Sequence, residues 1–218
     1  MVLIAPSILA ADFAKLADEV ASVGDEADWI HVDLMDGHFV PNLTIGPPVV
    51  ASLRKHTSLT LDCHLMVEDP AMWVDPLADA GADMVSFHVE LGDPRPLLGR
   101  IRSLGMQPGL VIDGPSAFDI VEPYLDADLD LLLIMTIRAG FGGQAFQAEQ
   151  LNKVRAAAAA KEANGYRFHI EVDGGVKVPT AAACAEAGAD VLVSGTGIFD
   201  SDDRRAAAAA IRAAADAR

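Results

Sequence analysis

Hydrophobic and polar positions alternate along this chain on two length scales. Short apolar runs of strand length are separated by longer amphipathic or alanine-rich stretches of helix length, which is typical of a parallel sheet covered by helices. We count eight such pairs and expect a helix after each strand. The predicted strands are Leu3 to Ile8, Trp29 to Leu34, Leu59 to Met66, Met84 to Val89, Gln107 to Ile112, Leu129 to Ile137, Arg167 to Val172 and Val191 to Ser194.

The distribution of polar residues favours a closed barrel over an open sheet. An open doubly wound sheet shares the same rhythm, but its polar site would concentrate near one switch point. Here polar and glycine-rich phrases follow several different strands, as on the top face of a (β/α)8 barrel, which typically needs roughly 200 residues or more. The chain has 218 residues and no recognisable linker. We therefore predict an α/β fold in which residues 1–218 form a single (β/α)8 TIM barrel.

Composition limits the partners and the compartment. The net charge of −16 and the pI near 4.5 would repel nucleic acid and anionic membranes, so we expect neither as a partner. The opening MVLIAPSILA lacks a basic leader, and no segment reaches membrane-spanning length. Cys63 and Cys184 lack CxxC spacing, which favours a reducing compartment. We predict a cytoplasmic protein.

Four residues at strand ends are candidate metal ligands. His31 and Asp33 lie two apart on one predicted strand, so their side chains project from the same face. His64 ends the third strand and Asp173 ends the seventh. Alone, the first pair could equally be a buried hydrogen-bonded couple. Together, two imidazoles and two carboxylates suit one divalent cation per chain, namely zinc, iron(II), manganese or cobalt.

The same carboxylates suggest a reaction. Asp33 and Asp173, facing each other across a metal, could act as acid and base on opposite faces of a flat intermediate. Removing a proton beside a carbonyl creates an enediolate, whose charge a cation would stabilise. This is the chemistry that an epimerase needs.

Glycine-rich phrases follow the last three strands and predict a phosphate site. They are Gly140 to Gln144, Gly174 to Gly175 and Ser194 to Gly197. Glycine lets the backbone approach an anion closely, and the last strand loops of barrels frequently bind phosphate. Tight turns are the alternative for any one of them.

Other residues near the strand ends are open to two interpretations. Ser7 could contact substrate or cap the next helix. Met35, Met66 and Met135 could fill the core or wall the metal site against water. For His88 we favour a hydrogen-bonded buried histidine, because four ligands are already present.

Between Ala5 and Phe199 the chain resembles the ribulose-phosphate 3-epimerase family. The motifs that carry the resemblance are APSILAADF, HVDLMDGHFVPN, DCHLMV, GFGGQ, VDGG and SGTGIF. The resemblance implies a metal-dependent epimerase that interconverts D-ribulose 5-phosphate and D-xylulose 5-phosphate. A small sugar phosphate would then be the partner, and the sequence leaves a homo-oligomer open.

The resemblance also implies a role for each matching residue. His31, Asp33, His64 and Asp173 would bind the metal, Asp33 and Asp173 would be the catalytic acid and base, and Ser7 and His64 would contact the sugar. The three methionines would cushion the enediolate. The residues implied at the phosphate end, beside Asp173, are Gly140, Phe141, Gly142, Gly143, Gly174, Gly175, Gly195 and Thr196.

Two departures from the family pattern concern the loops rather than the ligands. Relatives usually have a proline before GFGGQ, where this chain has Arg138 and Ala139. They tend to have Asn-Pro-x-Thr or Lys-Pro-x-Thr after strand five, where this chain has Asp113 to Ser116. Loss of the proline is expected to loosen the loop that closes over substrate.

Three alternative functions stay open. An epimerase for a longer sugar phosphate, such as allulose 6-phosphate, would keep the metal site and change the pocket. A phosphate-binding lyase on the same barrel would need a lysine at a strand end, and Lys177 is the nearest candidate. A non-catalytic scaffold would have a broken metal quartet, whereas this one is intact.

Overall fold

Eight parallel strands form a nearly closed barrel in this computed structural model, which describes residues 1–126 and 128–217. From the second strand to the eighth, consecutive strands pair in parallel, and the eighth strand pairs with the first. The single (β/α)8 fold is therefore confirmed, and the doubly wound alternative is wrong. The strands are β1 Leu3–Pro6, β2 Trp29–Met35, β3 Thr60–Met66, β4 Met84–His88, β5 Gln107–Ile112, β6 Leu131–Met135, β7 His169–Asp173 and β8 Val191–Ser194.

The seam between β1 and β2 is joined by a few specific contacts. Ser7 forms an isolated parallel bridge with His31. The backbone N–H of Asp28 donates to Ile4 O over 2.9 Å. One Asp28 carboxylate oxygen accepts both the Ile4 N–H and the Arg212 guanidinium over 2.8 Å. These contacts fix the start of the barrel beside its second strand.

Helices connect most of the strands along the outside. They are α1 Leu16–Val23, α2 Pro47–Arg54, α3 Ala71–Ala80, α4 Arg95–Ser103, α5 Leu151–Asn164, α6 Val178–Ala187, the single turn α7 Thr196–Phe199, and α8 Arg204–Asp216. The expectation of a helix after every strand is wrong after β5. Only two short 3-10 turns, Phe118–Ile120 and Glu122–Tyr124, occupy the described part of that connection. Pro115 and Pro123 interrupt this segment, and proline in a helix interior removes a backbone hydrogen bond.

Strand alternation divides the core into two layers. On β6, Leu132 and Ile134 belong to the layer between strands and helices, whereas Leu131, Leu133 and Met135 belong to the layer inside the barrel. Successive side chains of a strand point to opposite faces, so this parity carries Met135 into the barrel mouth. The predicted position of Met135 is confirmed by its place in the cavity described below.

Strand register brings the candidate ligands to one level of the barrel. Asp33 pairs with His64 across β2 and β3, and His31 pairs with Asp62 one step below. Across the barrel, Asp173 is flanked by Met135 on β6 and by Val193 on β8. The buried Thr136 donates its hydroxyl to the carbonyl oxygen of Gly174 over 2.6 Å, which fastens the end of β7 to β6.

Two features bear on the compartment. Cys63 and Cys184 are buried and free, as expected. Among the described residues, no helix is long and apolar enough to cross a bilayer.

Candidate active site

A cavity of about 320 Å³ opens at the carboxyl ends of the strands. It brings together nearly all the residues that the sequence predicts for the site. His31 and His64 are fully buried and do not reach the cavity wall. The predicted residues that line it are Ser7, Asp33, Gly140, Phe141, Gly142, Gly143, Asp173, Gly174, Gly175, Gly195 and Thr196.

The predicted metal quartet is a real cluster. One potential ligand atom each from His31, Asp33, His64 and Asp173 lies within 4.8 Å of all the others. Asp33 Oδ1 is 3.5 Å from His31 Nε2 and 3.5 Å from His64 Nδ1. Both of these ring nitrogens are buried without a hydrogen-bond partner. Since unpaired buried polar atoms are costly, two of them converging on one carboxylate oxygen fit a cation-binding site.

Ser7 performs two tasks that the sequence left as alternatives. Its hydroxyl donates to Asp33 Oδ2 over 2.6 Å. The Ser7 hydroxyl oxygen also accepts the backbone N–H of Leu9 over 3.3 Å, so Ser7 caps the 3-10 turn Ile8–Ala10 as well. Ser7 thereby orients one oxygen of Asp33 and leaves the other facing the two imidazoles.

The two aspartates of the cluster differ in their readiness to hold a proton. Burial alone would raise the pKa of Asp33, but the charges of His31 and His64 beside it hold it well below its usual value. Burial and the charge of Asp33 raise the pKa of Asp173 to about 7. A pair of carboxylates whose pKa values are pushed apart can divide the acid and base roles.

A second buried cluster lies beneath His31, and the sequence analysis missed it. His31 Nδ1 is 2.6 Å from Asp62 Oδ2 and 3.8 Å from Glu171 Oε1, and both carboxyl groups are fully buried. Burial and the charge of Asp62 raise the pKa of Glu171 well above its usual value. Spacing did hold a signal, because Asp62 and Glu171 each lie two residues before a predicted ligand and so share its face.

His64 continues into a chain of polar groups on its far side. Its Nε2 is 3.0 Å from His88 Nε2, and His88 Nδ1 is 3.3 Å from Glu90 Oε2. His88 is fully buried, and its ring packs 4.6 Å from that of Phe39. The expectation of a buried, hydrogen-bonded His88 is confirmed, whereas Glu90 was missed because it lies beyond the strand end.

At the predicted phosphate end, backbone conformation and close packing restrict two loop positions to glycine. Gly174 and Gly175 have φ of 119° and 68°, which favour glycine. A Cβ at Gly175 would also lie 2.9 Å from Phe146 Cα, and one at Gly174 would collide with Ile137.

Asn42 is a further cavity residue that the sequence did not predict. It lines the cavity and donates its side-chain amide to Gly140 O over 3.1 Å.

Of the other residues considered in the sequence analysis, the three methionines line the cavity, whereas Lys177 and Arg138 do not. Met35, Met66 and Met135 line it, each no more than 3% exposed. Lys177, the residue that a lyase would need, is exposed and lies at the start of α6. Arg138 is exposed and lines a neighbouring cavity with Phe39, Asp113 and Phe141.

Comparison with known proteins identifies the family. Residues 3–199 match the model of the ribulose-phosphate 3 epimerase family. The chain is 49% identical over 218 residues to ribulose-phosphate 3-epimerase of Mycobacterium tuberculosis H37Rv, covering 99% of this chain and 93% of that one. It is 46% identical over 203 residues to the cytoplasmic isoform from Oryza sativa subsp. japonica, covering 90% and 86%. Orotidine 5'-phosphate decarboxylase from Pyrococcus horikoshii OT3 shares the fold, with a TM-score of 0.73 and 18% identity over 98% and 99% of the two chains. The chain therefore belongs to the ribulose-phosphate 3-epimerase family, which makes it an isomerase that acts on carbohydrates.

Proposed function

We propose that this enzyme interconverts D-ribulose 5-phosphate and D-xylulose 5-phosphate by proton transfer at C3. The observation that carries the proposal is the pair Asp33 and Asp173. Their side chains line one cavity at the barrel mouth, and one oxygen of each belongs to the four-residue cluster. A reaction that removes a proton from one face of a carbon and returns one to the other needs two such groups.

The two aspartates act as acid and base. Asp33 accepts the C3 proton in one direction, while Asp173 donates one to the opposite face. Their roles exchange when the reaction runs in reverse. Ser7 keeps Asp33 oriented through its hydrogen bond to Oδ2.

A single divalent cation is proposed between the four residues of the cluster. His31 Nε2, His64 Nδ1 and one oxygen each of Asp33 and Asp173 would hold it, and two unpaired buried ring nitrogens support this fit. The mixed nitrogen and oxygen donor set suits zinc, iron(II), manganese or cobalt better than magnesium. When bound, such a cation supplies positive charge that stabilises the enediolate oxygens.

The rest of the cavity would bind the substrate. The loops after β6, β7 and β8 supply a glycine-rich wall for the phosphate, where a close backbone approach is possible in an otherwise acidic protein. Ser7 lines the cavity and would contact the sugar, whereas the fully buried His64 does not line it, which disfavours the predicted contact of His64 with the sugar. Met35, Met66 and Met135 present an apolar surface that keeps water from the flat intermediate.

The proposal also includes the domain organisation, the cellular compartment and the partners of the enzyme. Residues 1–218 form one catalytic domain, which a single eight-stranded sheet supports. We place the enzyme in the cytoplasm with a small sugar phosphate as its partner, and without nucleic acid or membrane partners because its net charge is −16.

Metal removal tests the proposal directly. Purified enzyme is assayed on D-ribulose 5-phosphate, stripped with a chelator, and assayed again after addition of zinc, iron(II), manganese or cobalt. We expect activity to disappear and return with about one cation per chain. Allulose 6-phosphate is run in parallel, and faster turnover on it would reassign the substrate. Full activity in protein that elemental analysis shows to be metal-free would contradict the metal site.

A further inference from the structure

A chain of hydrogen-bonding groups leads from the candidate ligand His64 to the outer edge of the barrel. It runs from His64 Nε2 to His88 Nε2 over 3.0 Å, and from His88 Nδ1 to Glu90 Oε2 over 3.3 Å. The two histidines are fully buried, while the Glu90 side chain is 22% exposed. Proton placement along such a chain is constrained, because a neutral imidazole has one N–H donor and one acceptor nitrogen.

The outer end of this chain is fixed by the β5 loop. Glu90 Oε1 accepts the backbone N–H of Asp113 over 2.9 Å. Burial alone would raise the pKa of Glu90, but hydrogen bonds from His88, Ser116 and the Asp113 backbone lower it to about 2. Glu90 is therefore ionised at neutral pH and can only accept hydrogen bonds.

Proton positions follow inward from that end. Facing an acceptor-only carboxylate, His88 carries its proton on Nδ1, which leaves its Nε2 as an acceptor. His64 must then carry its proton on Nε2 to donate to His88. This leaves the lone pair of His64 Nδ1 free, at the atom that faces Asp33 Oδ1 and has no hydrogen-bond partner.

We propose that Glu90 is a positioning residue that acts through His88 to set which ring nitrogen of His64 carries a proton, and so prepares Nδ1 to bind a cation. The inference rests on the metal site of the proposed function. His31 meets the same need more simply, because Asp62 holds its Nδ1 directly over 2.6 Å and its Nε2 is left unpaired. Partners of this kind fix the tautomer and orientation of metal-binding histidines.

Glu90→Gln is a direct test because glutamine has nearly the same size as glutamate but can donate a hydrogen bond to His88. It should therefore reverse the donor and acceptor roles along the series from residue 90 to His64. The Asp113 N–H occupies the side-chain oxygen of the new amide, so its NH2 group faces His88 and donates to Nδ1. His88 then carries its proton on Nε2, and His64 is driven to the tautomer protonated on Nδ1. Starting from zinc-loaded protein, competition with a chromophoric chelator should show zinc affinity at least about tenfold weaker, within the 10–100-fold range for such partners.

A matched background separates this mechanism from simple loss of a negative charge. In His88→Phe protein the chain is broken, so Glu90→Gln should no longer change zinc affinity. A purely electrostatic effect of the carboxylate would persist in that background. Glu122→Gln, an exposed glutamate in the 3-10 turn after β5, controls for loss of a surface charge.

Nitrogen-15 NMR of the histidine rings tests the unmodified protein without any variant. We expect the His88 proton on Nδ1 and the His64 proton on Nε2. A His88 proton on Nε2, or an undiminished effect of Glu90→Gln in the His88→Phe background, would overturn the inference. Protein that binds no cation at all would defeat the proposed metal site instead, and the ring tautomers would still decide the arrangement of protons.

Discussion

Asp113 Oδ1 accepts a hydrogen bond from the backbone N–H of Ala139 over 2.9 Å. This bond joins the loop after β5 to the loop after β6, immediately before the glycine-rich segment at the cavity. The Asp113 loop is itself held by Lys153, whose ammonium donates to Asp113 O over 2.8 Å and to Gly114 O over 2.7 Å. Proline has no N–H, so a chain with proline at 139 could not form the bond. The two segments that depart from the family pattern, Asp113 to Ser116 and Arg138 to Ala139, are thus joined by one hydrogen bond. This bond restrains the loop that lacks the proline.

A double-mutant cycle tests this relationship. Asp113→Ala should raise the Michaelis constant about fivefold in the unmodified chain, which corresponds to a hydrogen bond of ~1 kcal/mol. In Ala139→Pro protein the same change should matter much less, because the donor is already gone. Michaelis constants and turnover are measured for all four proteins.

The accompanying variant Asp113→Asn keeps an acceptor oxygen and should stay close to the unmodified enzyme. Loss of the Gly114 N–H contact with the same carboxylate occurs in both backgrounds and cancels in the cycle. Equal effects of Asp113→Ala with alanine or proline at 139 would show that the bond does not hold the loop.

Replacing either of the two aspartates that we propose as acid and base should nearly stop the reaction. Asp33→Asn and Asp173→Asn should each lower turnover by at least ~10², the low end for a positioned acid or base. In heavy water the unmodified enzyme should place deuterium at C3 of the product, because the incoming proton comes from a group in exchange with solvent. Mass spectrometry detects the label, and elemental analysis shows whether each variant keeps its metal.

Two outcomes would refute this scheme. One is unmodified turnover in a fully metallated Asn variant at either position. The other is product without deuterium at C3.

Arg138 should be nearly dispensable for the chemical step. Its side chain is exposed and lines the neighbouring cavity rather than the one that holds Asp33 and Asp173. Arg138→Ala should raise the Michaelis constant modestly and leave turnover within about tenfold, a change of ~1.4 kcal/mol or less. Arg138→Lys, which keeps the charge, should preserve the Michaelis constant better. A thousandfold fall in turnover would instead place Arg138 among the catalytic groups.

Much of this fold and site follows from the sequence because barrels obey simple rules. Strand alternation places residues two apart on one face, so His31 and Asp33 could be assigned to the same face of β2 from their spacing. The bounds of the predicted strands differ from the observed ones by at most two residues at either end. Neighbouring strands in parallel register then bring side chains from distant segments to one level.

What the sequence could not predict depends on contacts between loops. Glu90 reaches His88 from a 3-10 turn, and its other oxygen is satisfied by a loop from the next strand. The hydrophobic periodicity of the sequence does not predict these contacts, because they depend on the path of both loops in space. The described part of the connection after β5 contains two prolines and no α-helix, yet the overall rhythm of the sequence predicted a helix there.

Acid stability should depend on Asp190. Its carboxylate accepts hydrogen bonds from Lys161 Nζ over 2.8 Å and from the Ile170 N–H over 2.9 Å. Burial alone would raise the pKa of Asp190, but hydrogen bonds and charges from His169 and Lys161 hold it below its usual 3.8. A carboxyl group with a lower pKa in the folded state adds stability above its unfolded pKa, and that contribution is lost as the pH falls through the folded pKa.

Asp190→Asn should therefore lower the free energy of unfolding at pH 7, and the difference from the unmodified protein should shrink as the pH drops below 3.8. Urea denaturation at several pH values measures both. Asp79→Asn, at an exposed position of α3, serves as the control. A destabilisation that is constant with pH, or that grows in acid, would show that the Asp190 charge is not the cause.

The contacts of the N-terminal segment with β8 and α8 also affect how the chain folds. The Val2 N–H donates to Asp216 Oδ1, 214 positions away in sequence, and Leu3 pairs with Val191. Contacts between such distant segments carry a large loop-closure cost and form slowly compared with local helices. Because Ser7 donates its backbone N–H to Ser194 O beside this pairing and also orients Asp33, the helices of a refolding chain can form well before its catalytic geometry exists. Recovery of activity then marks the last stage of folding, when the two ends of the chain have met.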